Sequence, residues 1–349
     1  MTEAITQMLT NSAERGWLPE KVIRKGIRML CAERLAEEER HPSIAEFAAR
    51  LRQEPVAPIP EKANQQHYEV PAEFFLRVLG PHLKYSCCYW DGSTRSLEQA
   101  ETNALEVTCD RAEIADGQNI LELGCGWGSL SLWIAERYPR SQIVAVSNSR
   151  SQQEFISARA AARGLENLQV ITRDMNEFST TRQFDRVVSV EMFEHMRNYG
   201  ELMRRVASWL NPGGKLFVHV FCHRRFAYEF EEEGASNWMG RHFFSGGIMP
   251  SRDLLARFQN DLTLVRQWIW DGIHYRKTAE AWIRNLDAAE QELRQLFEKL
   301  YGPDQATRWF YRWRIFFLAC AELWGFRGGH EWQVAHYLFE NRQAQTPVI

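Results

Sequence analysis

The residues best equipped for chemistry are Glu191-Met192-Phe193-Glu194-His195, which follow directly on the apolar run Arg186-Val187-Val188-Ser189-Val190. That run is β-branched and bounded by polar residues, so it reads as a buried strand. Two carboxylates and an imidazole are therefore delivered together from a strand end, where open α/β sheets bind ligands. If the segment begins a helical turn, positions 191, 194 and 195 share one side at spacings of three and four. Such a cluster can hold a cation and also take a proton from it. That is chemistry for an amine, provided the chain supplies something for the amine to attack.

A second constellation supplies it. Glu122-Leu123-Gly124-Cys125-Gly126-Trp127-Gly128-Ser129 joins an apolar strand to a helical pattern. Glycines let backbone turn sharply and come close to a ligand, and the helix that follows offers unpaired N–H groups. Glu122 can order the loop or reach a cationic group. A dinucleotide site would show G-x-G-x-x-G and an acid some 20 residues on. Here the spacing is G-x-G-x-G, and the next strand ends in Ser147-Asn148-Ser149 with Gln152 beyond, without an acid. Asp174-Met175 follows the third strand, where Asp can accept from an adenine amino group and Met can pack on the ring. The set points to S-adenosyl-L-methionine (SAM), whose sulfonium makes a methyl group electrophilic.

The elements that must position these groups alternate. Apolar strands are expected at Asn119–Leu123, Gln142–Ser147, Leu168–Thr172, Phe184–Val190 and Lys215–Val220, with amphipathic helices around 127–137, 151–163 and 198–210. Asn211-Pro212-Gly213-Gly214 reads as the turn that ends the last helix and starts the fifth strand. Strands alternating with helices at this spacing imply a parallel, doubly wound sheet. Further strands are expected at Leu262–Trp270 and Glu331–Phe339, with helix over 277–326 and an irregular, aromatic-rich stretch over 223–258. Before the sheet, helical periodicity runs to about residue 53, and prolines 55, 58 and 60 mark a linker. The expected division is a helical arm with linker over 1–62, a cofactor-binding α/β core over 63–222, and a substrate-binding cap with returning strands over 223–349.

Bulk properties narrow the partners. With 349 residues, 45% hydrophobic and 25% charged, the chain can bury a sizeable core. A net charge of −3 offers no basic field for nucleic acid or anionic membrane. The longest apolar run, Ile315 to Ala321, is too short to span a bilayer. Seven cysteines, an odd number with no C-x-x-C, argue against both a disulfide framework and a zinc site, so reduced thiols and a cytoplasmic location are expected. His219, His223 and His336 match no zinc spacing, and no metal is expected. Nine of the thirteen tryptophans lie beyond residue 200, which suits a packed core or a pocket for a flat, hydrophobic ligand. Phe243, Phe244, Trp324, Phe326 and Trp332 are the aromatics expected to wall such a pocket.

Together these motifs resemble the class I SAM-dependent methyltransferases of the cyclopropane-fatty-acid-synthase superfamily. His67-Tyr68-Glu69, Lys84-Tyr85-Ser86-Cys87-Cys88-Tyr89-Trp90 and Ser149 with Gln152 carry the resemblance further. Phe221-Cys222-His223, Phe226-Ala227-Tyr228, Phe243-Phe244-Ser245-Gly246-Gly247, Met249-Pro250-Ser251, Trp324-Gly325-Phe326 and Glu331-Trp332 make it resemble the plant coclaurine N-methyltransferases and their relatives. The resemblance implies a Rossmann-like doubly wound sheet with a helical arm and a helical, aromatic cap. It also implies SAM as cofactor, with S-adenosyl-L-homocysteine as its product. Tyr85, Ser86, Glu122, Gly124, Gly126, Asn148, Gln152, Asp174 and Met175 are the expected cofactor residues, and Glu69 joins the aromatics as a substrate residue. Cyclopropane synthases typically carry glycine where this chain has Glu191, and hold bicarbonate as base; a carboxylate there would repel that anion and favour a cationic amine.

The reading that follows is N-methylation of a small-molecule amine of benzylisoquinoline or tetrahydroisoquinoline type. His195 would be the base, Glu194 would orient it or bind the ammonium, and Glu191 would hold the cationic nitrogen. One alternative is a lipid enzyme adding methyl or methylene to an acyl chain, which would need a membrane-docking surface that the sequence does not show. Another is a non-catalytic SAM-fold scaffold. A homodimer is left open.

Overall fold

The structure is a computed structural model that describes residues 3–40, 43–58, 70–234 and 236–341. The expected residues His67, Tyr68 and Glu69, and the last part of the linker, lie outside the described residues.

The α/β core is the expected one. Its strands are β1 (Asn119–Leu123), β2 (Gln142–Ser147), β3 (Leu168–Thr172), β4 (Phe184–Val190), β5 (Leu210–His223), β8 (Leu262–Asp271) and β9 (Trp332–Asn341), in the order β3-β2-β1-β4-β5-β9-β8. β6 (Tyr228–Glu229) and β7 (Ile248–Met249) form a separate two-stranded ribbon. The chain winds from β1 outward to β3, then returns to the other side of β1 for β4 and β5, all parallel. That reversal opens a crevice at the carboxyl ends of β1 and β4, the switch point where such sheets take ligands. The Gly124 loop and Glu191 both leave the sheet there.

The helices are α1 (Glu3–Glu14), α2 (Glu20–Glu38), α3 (Ile44–Leu51), α4 (Ala72–Val78), α5 (Leu97–Arg111), α6 (Ser129–Arg137), α7 (Arg150–Ala162), α8 (Tyr199–Trp209), α9 (Trp238–His242), α10 (Ile273–Ala288), α11 (Glu290–Tyr301) and α12 (Pro303–Gly325). The single helical stretch expected over 277–326 is thus three helices. Gly302, at φ +82°, breaks the second, and Pro303 starts the third at the position where its missing N–H costs nothing.

β5 departs most from expectation. It begins at Leu210 and absorbs the Asn211–Gly214 turn as an irregularity, since Phe184 pairs with Leu210 but Arg186 pairs with Lys215. It also runs three residues beyond Val220. The reason is β9, which lies antiparallel along it and pairs Phe221 with Val334 and His223 with Trp332. β9 is covered on both faces by other elements and is buried almost throughout. A strand so enclosed supplies a partner that no local pattern in β5 can announce.

The arm divides between two neighbours. α1 and α2 lie on the C-terminal helices, where Arg24 bridges Glu20 to Glu280 of α10 and Glu322 of α12. Buried Glu14 takes the Trp238 indole N–H at 2.8 Å and faces Arg312 at 3.2 Å. α3 instead joins the sheet side, where Phe47 and Leu51 share a core with Tyr199 and Phe258. Among the described residues no helix is long and apolar enough to cross a membrane.

Candidate active site

The cofactor cleft is built mostly from backbone. Gly124 and Gly126 adopt φ +79° and +51°, conformations that side chains rarely tolerate. A Cβ on Gly124 would fall 2.6 Å from Met192, whereas beside Gly126 there is only open space, the side presented to a ligand. Glu122 is fully buried beneath this loop, where its carboxyl accepts from Ser131 of α6, and burial pushes its pKa up to about 7. It is not among the residues that line the cleft, and its hydrogen bond ties β1 to α6.

Across the cleft, Ser149 caps α7 by accepting from the Gln152 N–H. The Gln152 side chain accepts at 2.6 Å from Ser147 and leaves its buried amide nitrogen without a protein partner. Asn148, Gln152, Asp174 and Met175 all line the same space as Gly124 and Gly126, with His195 at its far wall. A buried amide donor, a half-buried carboxylate and an apolar thioether around a glycine-lined floor fit the polar edge and flat face of an adenosyl group.

Tyr85 and Ser86 stand elsewhere. Neither lines this cleft. The Ser86 hydroxyl turns to accept from buried Lys84, whose ammonium also donates at 2.8 Å to the Cys87 carbonyl. Tyr85 lines the neighbouring aromatic pocket.

That pocket is bordered by Glu191 and His195, with Phe221, Phe244, Tyr275 and Trp324 among its walls. Phe244 lies 4.5 Å from the His195 ring between centroids, and Trp324 stacks on Tyr275 at 4.9 Å and 5°. Of the five aromatics expected here, Phe244 and Trp324 line the space. Phe243, fully buried, stacks on Phe316 in the core. Trp332 is also fully buried and donates to the Tyr228 hydroxyl, and Phe326 packs on Trp332. None of these three lines the pocket.

The opening cluster is divided by its own backbone. Glu191 leaves β4 at φ +49°, a left-handed conformation that costs a non-glycine residue roughly 1–2 kcal/mol. Its N–H donates to the His219 carbonyl at 2.8 Å. Its carboxylate accepts from the Cys87 N–H (2.9 Å) and the Tyr275 hydroxyl (2.8 Å), and faces His219 Nε2 at 3.2 Å. Phe193–His195 then forms a 3₁₀ turn of three residues per repeat. This turn sends Glu194 inward while His195 faces the pocket, so the three groups do not share one open side. Glu194 is wholly buried, with Oε1 accepting from the Phe221 N–H at 2.7 Å and Oε2 without a protein partner. It lines neither space, so it is not placed to touch an ammonium there.

Burial and the neighbouring Glu191 raise the Glu194 carboxyl well above the usual carboxylate range. Burial raises Glu191 as well, but Lys84 and the donors from Cys87 and Tyr275 oppose that. Burial keeps His219 neutral and the Tyr275 phenol protonated, which leaves both as donors to Glu191. Tyr275 and His219 were not among the sequence candidates. Tyr275 begins a helix as any core aromatic might, and only the fold brings it to Glu191. Among the described residues no group of histidines, cysteines and acids could hold a metal.

Comparison with known proteins decides the family. Residues 59–330 match the model for mycolic acid cyclopropane synthetase. The chain is 36% identical to (S)-coclaurine N-methyltransferase of Thalictrum flavum subsp. glaucum over 97% of both chains. It belongs to this methyltransferase family. Pavine N-methyltransferase of the same plant is 31% identical over 97% of this chain and 98% of its own. A crystal structure of coclaurine N-methyltransferase bound to N-methylheliamine and SAH superposes with a TM-score of 0.92 at 35% identity, covering 96% of this chain and 99% of that one. The chain is therefore a SAM-dependent methyltransferase with a class I Rossmann-like fold.

Proposed function

We propose that the enzyme methylates the nitrogen of a small aromatic amine of tetrahydroisoquinoline or benzylisoquinoline type, with His195 as general base and Glu191 as the anion that holds the incoming cation. The observation that carries this reading is the position of His195, which borders both the cofactor cleft and the aromatic pocket. A nitrogen seated beside it in the pocket faces the cofactor side.

An alkylamine of pKa near 10 is almost wholly protonated at pH 7, and freeing its lone pair costs about 4 kcal/mol. The Glu191 carboxylate draws the ammonium in, and the faces of Phe244 and Trp324 favour a cation further. His195 takes the N–H proton. When bound, SAM presents a methyl carbon on a sulfonium, so N–C bond formation with C–S cleavage leaves neutral S-adenosyl-L-homocysteine.

Glu191 also separates this reading from acyl-chain chemistry. The Cys87 N–H and His219 Nε2 meet Oε1 of Glu191 and the Tyr275 hydroxyl meets its Oε2, so the tethered carboxylate engages all three. A free anion acting as base would find those donors taken. All seven cysteines are buried and free, which fits work in the reducing cytoplasm.

The test is a panel of tetrahydroisoquinolines, phenethylamines and phospholipids with methyl-labelled SAM. Label is expected in the cyclic amines. Label confined to the lipid fraction would overturn the proposal.

A further inference from the structure

Behind Glu191 lies a group of buried imidazoles that no step of the reaction uses. His219 of β5 and His336 of β9 are cross-strand partners, so their rings stand on the same face of the sheet. The rings are 4.6 Å apart between centroids, and both residues are fully buried. Trp270 of β8 packs on both, 4.3 Å from His336 and 5.6 Å from His219. Burial, with Lys84 and Arg111 nearby, keeps both imidazoles neutral. Each ring therefore carries one N–H and one bare nitrogen.

The outer contacts of the two rings decide which nitrogen has the hydrogen. His336 Nδ1 lies 2.9 Å from Nη1 of Arg111, the last residue of α5. A guanidinium only donates, so Nδ1 accepts and Nε2 carries the hydrogen. His219 Nε2 lies 3.2 Å from Glu191 Oε1. A carboxylate only accepts, so this Nε2 also carries the hydrogen, and His219 Nδ1 is bare. The two nitrogens left over, His336 Nε2 and His219 Nδ1, have no other partner. One is a donor and the other an acceptor, in neighbouring rings. Buried polar groups are rarely left unmet, and these two are complementary.

Resting on the reading of Glu191 as the anion that holds the amine, we propose that Arg111, His336 and His219 form a directional hydrogen-bond chain that fixes His219 as its Nε2–H tautomer, which makes Arg111 and His336 positioning residues for Glu191. In the other tautomer His219 would turn a lone pair toward the carboxylate, and Glu191 would lose one of its three donors. Arg111 is half-buried and stacks over Trp268 and Trp270 at 5.1 and 5.4 Å, so the guanidinium that starts the chain is held in place by the outer strand. Neither Arg111 nor His336 lines the aromatic pocket or the cofactor cleft. Their effect on the substrate passes entirely through His219.

The test pairs nitrogen NMR of the histidine rings with kinetics on unsubstituted tetrahydroisoquinoline. In the parent, His219 should show a protonated Nε2 and a bare Nδ1, its signals assigned by their loss in His219→Asn. His336→Phe keeps the ring packing and removes the donor, so the Nδ1–H form of His219 should appear. The amine KM should then rise about fivefold, the scale of one buried hydrogen bond, with kcat and SAM affinity within about twofold. His336→Gln, which offers an acceptor to Arg111 and a donor to His219, should restore both the tautomer and the KM. Should His336→Phe fail to fold, Arg111→Leu at the half-buried end carries the same test, with His336 expected to lose its single Nε2–H form. A parent His219 protonated on Nδ1, or a tautomer unchanged in the folded variants, overturns the proposal. Trp270 Nε1 is another unpartnered donor beside the rings, so Trp270→Phe is the control. If that variant frees the tautomer and His336→Phe does not, the lock is Trp270 and the chain falls. Glu191→Gln separates the two levels. If the tautomer switches in His336→Phe but neither that variant nor Glu191→Gln moves the amine KM, the chain stands and the reading of Glu191 as the amine's anion falls.

Discussion

The cofactor cleft and the aromatic pocket share His195 but are made in different ways. The cleft is lined largely by short stretches at the ends of parallel strands, around 124–126, 146–152, 173–175 and 192–196, with Ala57, Ser245 and Gly246 completing it. What it requires is mainly backbone: two glycines with positive φ, a helix cap and a turn. The pocket draws side chains from the 84–88 block, β4, β5, the β6–β7 ribbon, α10 and α12. Every one of its aromatics would also be acceptable in a core. A site specified by backbone conformation is tied to residue types at fixed spacings. A site specified by the meeting of distant side chains is tied to the fold.

The largest test of this contrast is His195→Ala, because the imidazole, the proposed base, lines both spaces. Turnover at pH 7 is expected to fall by about 10²–10⁴, the usual contribution of a positioned base. SAM affinity by calorimetry should change less than threefold, since the cleft keeps its glycines, Gln152 and Asp174. The loss should also shrink as pH approaches 10, where an alkylamine frees its own lone pair. A loss of the same size at pH 7 and pH 10 would mean that the histidine does not act as the base.

A paired substitution separates the two regions. Asp174→Ala should weaken SAM binding about tenfold, the equivalent of about 1.4 kcal/mol, and leave the KM for amine unchanged. Phe244→Ala should do the reverse, raising the amine KM about tenfold through lost aromatic area. Steady-state kinetics with each substrate varied in turn checks both. If either variant moved both constants together, the cleft and pocket would be one coupled site and the contrast would fail.

The same contrast explains what the sequence made legible. Strands β1 to β4 were readable to the residue because each is a short β-branched run flanked by turns. The expected cofactor residues Gly124, Gly126, Asn148, Gln152, Asp174 and Met175 follow from those ends, and all line the cleft. Tyr85 and Ser86 lie outside the lining of the cleft, in a block anchored through the Cys87 N–H by Glu191, a partner remote in sequence. Phe243 and Phe244 are adjacent and alike, yet one stacks in the core on Phe316 and the other faces His195. No periodicity distinguishes them, since α9 ends at His242 and the chain turns there. Tyr275 was invisible for the same reason. Glu194 faces inward, away from both spaces, because a 3₁₀ turn, not an α-helical one, follows the strand.

The smallest effect on catalysis is expected from Glu122, which the cleft uses only as support. Its folded pKa of about 7 lies above the ordinary 4.5, so the folded chain holds this proton more tightly than the unfolded one. The carboxyl therefore costs no stability below pH 4.5, takes away stability as pH rises from 4.5 to 7, and exerts its full cost above that. The span is on the order of 3 kcal/mol. Glu101 carries a similar raised value, to about 7, while accepting from Gly80, His82 and Lys84, so it adds a second slope over the same window. Glu122→Gln retains an acceptor for Ser131 and removes one slope but not the other. Chemical denaturation at pH 5 and pH 8 should show the parent losing more stability than the variant over that interval, with turnover at pH 7 within twofold. If the variant instead lost turnover tenfold with SAM binding intact, Glu122 would act on the reacting groups and the cleft would not be the backbone-built region described here.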